Sequence, residues 1–296
     1  MQIPKECLIT IPHEFIKILR SRSIDEGLTP QKWPINPPSI KVPNDFRDFC
    51  LSMIDAVTSG PGFTILRLET TCACIPQYLK TCYWNMFTFL AKPLPQYKTG
   101  ELIFDVRETA DKPIRSHYSQ SKIGGGFHTD GTFLPETPLY VGLGCIEQAI
   151  YGGESVLIDG RVIYQELSIH HPHVLKNLEK EYYFDCCDQL PGTEVRKKAV
   201  FRKENSSILV QYLRLYIIEG HRKARILIET DSLESFDTLD SLMAMDKFQY
   251  VYNLSPGDML LFNNQRFFHG RNIFTDGPNS STASKRWLMR IYGSIR

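Results

Sequence analysis

PLYVGLGCIEQAIYGGESVLIDG, residues 138–160, sets the reading of this chain. It holds two short runs rich in β-branched and aromatic residues, parted by the Gly152–Gly153 turn signal. Working outward, the same texture returns in ELIFDV (101–106), SSILVQYLRLYII (206–218), GDMLLFNN (257–264) and RWLMRIYGSI (286–295). Two helical insertions interrupt these runs, near 161–181 and 229–245. Leu233, Phe236, Leu242 and Met243 mark the apolar side of the second. Many short strands, few helices and no strand–helix–strand alternation predict a mainly β fold with flanking helices, a barrel or double-sheet jelly roll.

The N-terminal part reads differently. Phe46, Phe49, Cys50, Met53, Ile54 and Val57 fall on one helical stripe, and a second helix is expected over 77–90. GFTILRLE (62–69) lies between them as a strand candidate. Residues 24–44 carry five prolines and read as an irregular connector. The expected organisation is one domain over 1–296, with a helical and irregular segment at 1–60 and the jelly-roll core at 61–296.

Composition removes several function classes. A net charge of +1 gives no basic face for nucleic acid. No apolar run is long enough for a membrane-spanning helix, and the start lacks the basic and apolar regions of a secretory signal. None of the eight cysteines forms a CxxC pair. Reduced thiols and a cytoplasmic location are the expectation, Cys186–Cys187 included. The chain says nothing of oligomeric state. HHPH (170–173) reads as a loop, and no GxSxG supports a serine hydrolase.

Chemistry enters at GGGFHTDGTF (124–133). On an extended backbone His128 and Asp130 point to the same side, so imidazole and carboxylate can share an ion. A third donor is available 139 residues on, as His269 in FNNQRFFHGR. Two histidines and one carboxylate suit iron(II) and leave coordination positions open. Taken alone, an HxD pair is a weak signal, and a loop histidine bonded to its neighbouring aspartate is the reading it favours.

The surroundings of the pair are more specific. HTDGTF (128–133), PLYVGLGCIEQAIYGGES (138–155), SPGDMLLFNNQRFFHGR (255–271) and KRWLMRIYG (285–293) occur in the order seen in one family. From about residue 60 onward the chain resembles the taurine dioxygenase, γ-butyrobetaine hydroxylase and clavaminate-synthase-like oxygenases. The resemblance implies a double-stranded β-helix core, with Fe(II), 2-oxoglutarate and O2 as cofactor and co-substrates. It implies metal ligation by His128, Asp130 and His269. It also implies that Arg286, 17 residues after His269, and the hydroxyl of Ser155 hold the distal carboxylate of 2-oxoglutarate. An arginine fork suits such a dianion because it stays charged and matches a carboxylate bidentately. Asn263, Asn264 and Gln265 depart from the family's usual residues there.

The expected reaction is oxidation of an unactivated C–H bond in a small polar metabolite, such as an amino acid or a biosynthetic intermediate. Arg290 shares the face of Arg286 and is a candidate substrate contact; an ion pair with an acid at the barrel mouth is the alternative. Gln211 and Arg214 are further substrate candidates, and IRSHYSQSKIGG (114–125) is expected to line the mouth. No cysteine-rich zinc module of the γ-butyrobetaine-hydroxylase type precedes the core, which weighs against a carnitine-pathway role. Two other readings stay open: a jelly-roll metalloenzyme without 2-oxoglutarate, and a metabolite-binding barrel without catalysis.

Overall fold

Alternation along DMLLFN shows how the layers form. Met259 and Leu261 join one apolar cluster with the N-terminal helices, while Leu260 and Phe262 join a second cluster on the other side. This period of two is that of a strand buried on both faces. The computed structural model describes residues 1–22, 32–68, 75–107, 126–190, 192–205, 207–275 and 286–296. Expectations placed on 114–125, on Gly124 and Gly125, and on most of the 24–44 connector's first half lie outside them.

Along the chain the elements are β1 (Leu8–Ile11), α1 (His13–Leu19), α2 (Asn44–Thr58), β2 (Phe63–Leu68), α3 (Pro76–Leu90), β3 (Lys92–Leu94), β4 (Ile103–Val106), β5 (Tyr140–Glu147), β6 (Tyr151–Gly152) and β7 (Ser155–Asp159). Then come α4 (Gly160–His170), α5 (Pro172–Leu178), β8 (Glu181–Leu190), β9 (Thr193–Ala199), β10 (Phe201–Glu204), β11 (Ser207–Val210), α6 (Arg214–Ala224) and α7 (Thr230–Met243). The last are β12 (Gln249–Tyr252), β13 (Asp258–Asn263), β14 (Phe267–Arg271), β15 (Phe274–Thr275) and β16 (Trp287–Ser294).

The larger sheet runs β1-β2-β13-β5-β16-β3, with β4 also pairing β16. Its β1–β2 pair is parallel, so the sheet is mixed. The smaller sheet runs β12-β7-β14. Phe262, Val141, Leu288 and Tyr292 from the first sheet meet Leu157 and Phe267 from the second, forming the interior of the roll. Helices α1–α3 cover the outside of the larger sheet through Phe15, Phe46, Trp84 and Phe87. Helices α4, α5 and α7 cover Val156, Ile158 and Phe268 of the smaller one. Each of these large side chains contributes roughly 1.5–3 kcal/mol on burial. Helix α3 lies close to β5 because Gly144 carries no side chain: a Cβ there would stand 2.4 Å from Tyr83.

Several elements differ from the sequence reading. SSILVQYLRLYII is not one strand: β11 ends at Val210 and α6 begins at Arg214. An apolar run of this kind fits either period, and here the Gly220 face of α6 packs on β8. The expected 161–181 insertion is two helices, and its last residue already belongs to the β8–β9 hairpin. The N-terminal segment contributes a strand, β1, to the larger sheet. Among the described residues no helix is long and apolar enough to cross a membrane. Cys186 and Cys187 are free thiols, and burial pushes the Cys187 thiol up to about 12, far from a reactive thiolate.

Candidate metal and co-substrate centre

His269 projects from β14, and the segment after residue 126 joins the edge of that strand. The His128 N–H donates to the His269 carbonyl (3.0 Å), and the His269 N–H donates to the His128 carbonyl (2.8 Å). This reciprocal pair places the two imidazoles side by side, ring centres 4.4 Å apart. Thr129 turns the other way: its hydroxyl accepts from the Tyr212 N–H and its N–H donates to the Tyr212 carbonyl. His128 and Asp130 therefore face the same side, as strand alternation predicts.

Asn264 fixes the Asp130 backbone. Its Oδ1 accepts from the Asp130 N–H (2.8 Å), and its Nδ2 donates to the Asp130 carbonyl (3.0 Å) and the Pro138 carbonyl (2.9 Å). The asparagine is fully buried, which makes these contacts hard to replace. One donor atom from each of His128, Asp130 and His269 lies within 4.8 Å of the others. Among the described residues no other group of three such side chains could hold an ion; the His170–His173 tract at the α4–α5 junction forms none.

The two carboxylate oxygens of Asp130 have different surroundings. Oδ1 accepts from Arg290 Nη1 at 2.8 Å. Oδ2 lies 3.4 Å from His269 Nε2, is buried, and has no hydrogen-bond partner. A buried carboxylate oxygen without a donor is costly unless a cation completes it. Burial pulls the Asp130 pKa up, but Arg290 first, then His269 and His128, outweigh it and hold it well below the usual carboxylate range. Burial, reinforced by His269, lowers the His128 pKa to about 4. Its Nδ1 lies 3.1 Å from the Gly126 carbonyl, a contact that favours the proton on Nδ1 and leaves Nε2 as the ring's electron-pair donor. Two imidazoles and an ionised carboxylate gathered at one point fit a divalent iron.

A second cationic region lies further along the roll. Arg286 is 6% exposed, and its Nε donates to the Gly153 carbonyl at 3.1 Å. Gly153 has φ +78°, and a Cβ on it would stand 2.9 Å from Arg286 Cδ. Only glycine therefore suits this point of the GGES turn. Ser155 is buried and sits opposite Arg271 in the β7–β14 ladder, two residues from His269 and on its face. Arg271 and Arg286 share the Phe274 ring, at 4.7 and 5.7 Å from its centre. Burial and the neighbouring Arg286 lower the Arg271 pKa to about 10. Arg271 was missed in the sequence, although its spacing from His269 carried the signal. A small cavity bounded by Cys145, Gly153, Leu254 and Leu288 abuts Arg286.

The substrate candidates separate. Arg290 faces the centre, but through Asp130. Gln211 and Arg214 are engaged elsewhere. Gln211 Nε2 donates to Thr137 Oγ1 (2.6 Å), bracing the loop after the metal motif. Arg214 pairs with Asp237 and Asp240 of α7, each at 2.7 Å. Lys198, equally unforeseen, donates to the Thr132 carbonyl (2.7 Å) and lies 3.3 Å from Thr137 Oγ1. Burial lowers its pKa to about 8. Tyr97, Phe133 and Tyr216 line up beside Arg290: Tyr97 and Phe133 stack at 6.0 Å, and Phe133 meets Tyr216 at 6.2 Å.

Comparison with known proteins agrees with this geometry. Residues 58–292 match the family described as taurine catabolism dioxygenase TauD, TfdA family. FR-33289 synthase of Streptomyces rubellomurinus is 28% identical over 257 residues, spanning 83% of this chain and 69% of that protein. Gamma-butyrobetaine dioxygenase of Homo sapiens is 24% identical over 174 residues, 55% of this chain but only 43% of its own length. The crystal structure of asparagine oxygenase with Fe(II), 3-hydroxyasparagine and succinate superposes with a TM-score of 0.72. That match covers 97% of this chain and 93% of the other at 16% identity, a likeness of fold.

Proposed function

The chain belongs to the TauD/TfdA dioxygenase family, and from that premise we propose that it is an Fe(II)- and 2-oxoglutarate-dependent oxygenase that hydroxylates a C–H bond of an amino acid or an amino-acid-like intermediate. The observation that carries the reading is the convergence of His128, Asp130 and His269, with the buried Asp130 Oδ2 facing the imidazoles.

His128, Asp130 and His269 would hold the iron on one face. When bound there, iron(II) and 2-oxoglutarate would supply the means to activate dioxygen, giving succinate, carbon dioxide and an oxygenated substrate. The protein's own part is to bind, orient and keep the site dry. Arg286 and Ser155 would secure the distal carboxylate, with Arg271 alongside; a guanidinium does this without a proton equilibrium near neutrality. Val141, Phe262, Leu288 and Tyr292 wall the roll with buried side chains, which strengthens each charge interaction inside it. Arg290 keeps Asp130 ionised. Tyr97, Phe133 and Tyr216 supply an aromatic wall that suits the body of a small substrate. Asparagine oxygenase is a structural neighbour that holds a hydroxylated amino acid, and this supports the proposed substrate class.

Anaerobic addition of iron(II) and 2-oxoglutarate should give the visible band of the keto-acid chelate. Aerobic incubation with an amino-acid panel should yield succinate in step with a product heavier by one oxygen. Folded protein that gives neither the band nor succinate would sink the proposal. Binding of zinc or manganese without any response to 2-oxoglutarate would favour the plain metalloenzyme reading.

A further inference from the structure

Arg290 does not meet Asp130 alone. Its Nε donates to Gln96 Oε1 (2.9 Å) and its Nη2 donates to the Tyr97 hydroxyl (3.1 Å). Gln96 is fully buried, and its other end donates to the Arg290 carbonyl (2.8 Å) and to the Leu102 carbonyl (3.2 Å). One amide thus grips both the side chain and the backbone of the same arginine. The guanidinium lies between the rings of Phe104, at 5.2 Å, and Tyr292, at 4.7 Å. Tyr97 stacks on Phe133, three residues past Asp130, and packs on Phe104, the ladder partner of Arg290. The 95–102 loop therefore ties the segment bearing Asp130 to the strand bearing Arg290.

We infer that Gln96 and Tyr97 are positioning residues for the metal centre: they lock Arg290 so that it takes Asp130 Oδ1 and leaves Oδ2 as the one carboxylate oxygen turned to the two histidines. The consequence is a count of open positions. An aspartate that offered both oxygens would occupy one of the three sites that a chelating keto acid and dioxygen need. Arginine suits the task because its fork sets the direction of each N–H, provided the fork itself cannot rotate. Gln96 and Tyr97 supply that restraint from two sides, and neither is among the side chains that would ligate the metal. Orientation of ligands by such outer partners is a general feature of metal sites.

The inference rests on the metal reading above, and a metal-affinity cycle separates the two. Mn(II) affinity is measured anaerobically without co-substrate for the wild type, Gln96→Met, Tyr97→Phe, Arg290→Met and Gln96→Met/Arg290→Met, alongside melting of each metal-free protein. Gln96→Met should weaken Mn(II) binding by roughly 10-fold, within the range for outer-shell partners. Tyr97→Phe, which removes only a hydroxyl, should weaken it by about 3-fold with little change in melting. In the Arg290→Met background, Gln96→Met should have no further effect on affinity, because its route to Asp130 is gone. Equal weakening by Gln96→Met in both backgrounds would overturn the inference, and so would unchanged affinity in Gln96→Met and Tyr97→Phe. Should Gln96→Met fail to fold, Tyr97→Phe and its double variant with Arg290→Met decide by the same comparison. A wild type that binds no Mn(II) or Fe(II) would instead defeat the metal reading.

Discussion

Replacing Arg286 with Gln tests where the co-substrate's far end is held. The guanidinium is nearly sealed from solvent, and its Nε bond to the Gly153 carbonyl fixes its direction. A carboxylate meeting it would lose a charged partner in a dry pocket. Charged hydrogen bonds contribute about 1.5–3 kcal/mol, and stripping one partner from a buried pair costs about 3–5 kcal/mol. Arg271 stays close enough to the same ring to retain part of the field. A loss of about 2–4 kcal/mol is therefore expected, or roughly 30- to 1000-fold in the 2-oxoglutarate dissociation constant. The assay is anaerobic titration of the iron(II) protein with 2-oxoglutarate and, in parallel, with a 2-oxo acid that lacks the distal carboxylate. The wild type should prefer 2-oxoglutarate strongly, and Arg286→Gln should lose most of that preference while binding the shorter acid about as before. Stability should fall by only about 1 kcal/mol, for the lost bond to Gly153. Gly153→Ala should act in the same direction with the arginine itself retained, since the added Cβ would press on Arg286 Cδ at 2.9 Å from a φ of +78°. An unchanged preference in Arg286→Gln, in protein that still binds 2-oxoglutarate, would refute the assignment.

Asp130→Ala should abolish iron(II) binding and succinate formation. It should also destabilise the metal-free fold by about 3–5 kcal/mol, because Arg290 is left buried without its carboxylate; a melting curve checks this. For pH, His128 has a folded pKa of about 4, below its unfolded value. Between the two the unfolded chain binds more protons, so metal-free stability should fall as the pH drops from about 6.5 to 4, by on the order of 2–3 kcal/mol. Denaturant titrations across that window check the sign, and His128→Gln should flatten the slope. Lys198→Met removes the donor shared by the Thr132 carbonyl and the Thr137 hydroxyl, and should cost about 1–3 kcal/mol in a thermal melt.

His128, Asp130 and His269 were legible in the sequence because two of them are adjacent on one strand face and the third sits in a block with a recognisable neighbourhood. The paired β runs, the α2 stripe and α3 were legible for the same reason: periodicity is local, and burial follows it. Arg286 was singled out by its place after the distal histidine in the family that the chain resembles, and its part in holding a co-substrate is a proposal. SSILVQYLRLYII was misread because a continuous apolar run fits both periods, and only packing against β8 chooses. Gln211 and Arg214 look like free polar groups in the sequence; their partners Thr137, Asp237 and Asp240 are chosen by how loops and helices meet.

By itself, then, the sequence pointed to the kind of fold and to the His128–Asp130 pair through alternation, while His269 and the proposed co-substrate arginine, Arg286, were singled out by the resemblance of their blocks to the family. Only the tertiary structure decided that Arg290 answers to Asp130, that Gln96 and Tyr97 hold Arg290, and that Arg271 joins Arg286. Those contacts span up to 194 residues of chain. A hydrogen bond depends on direction to within a few tenths of an ångström, and residue order alone carries no such information across two sheets folded face to face.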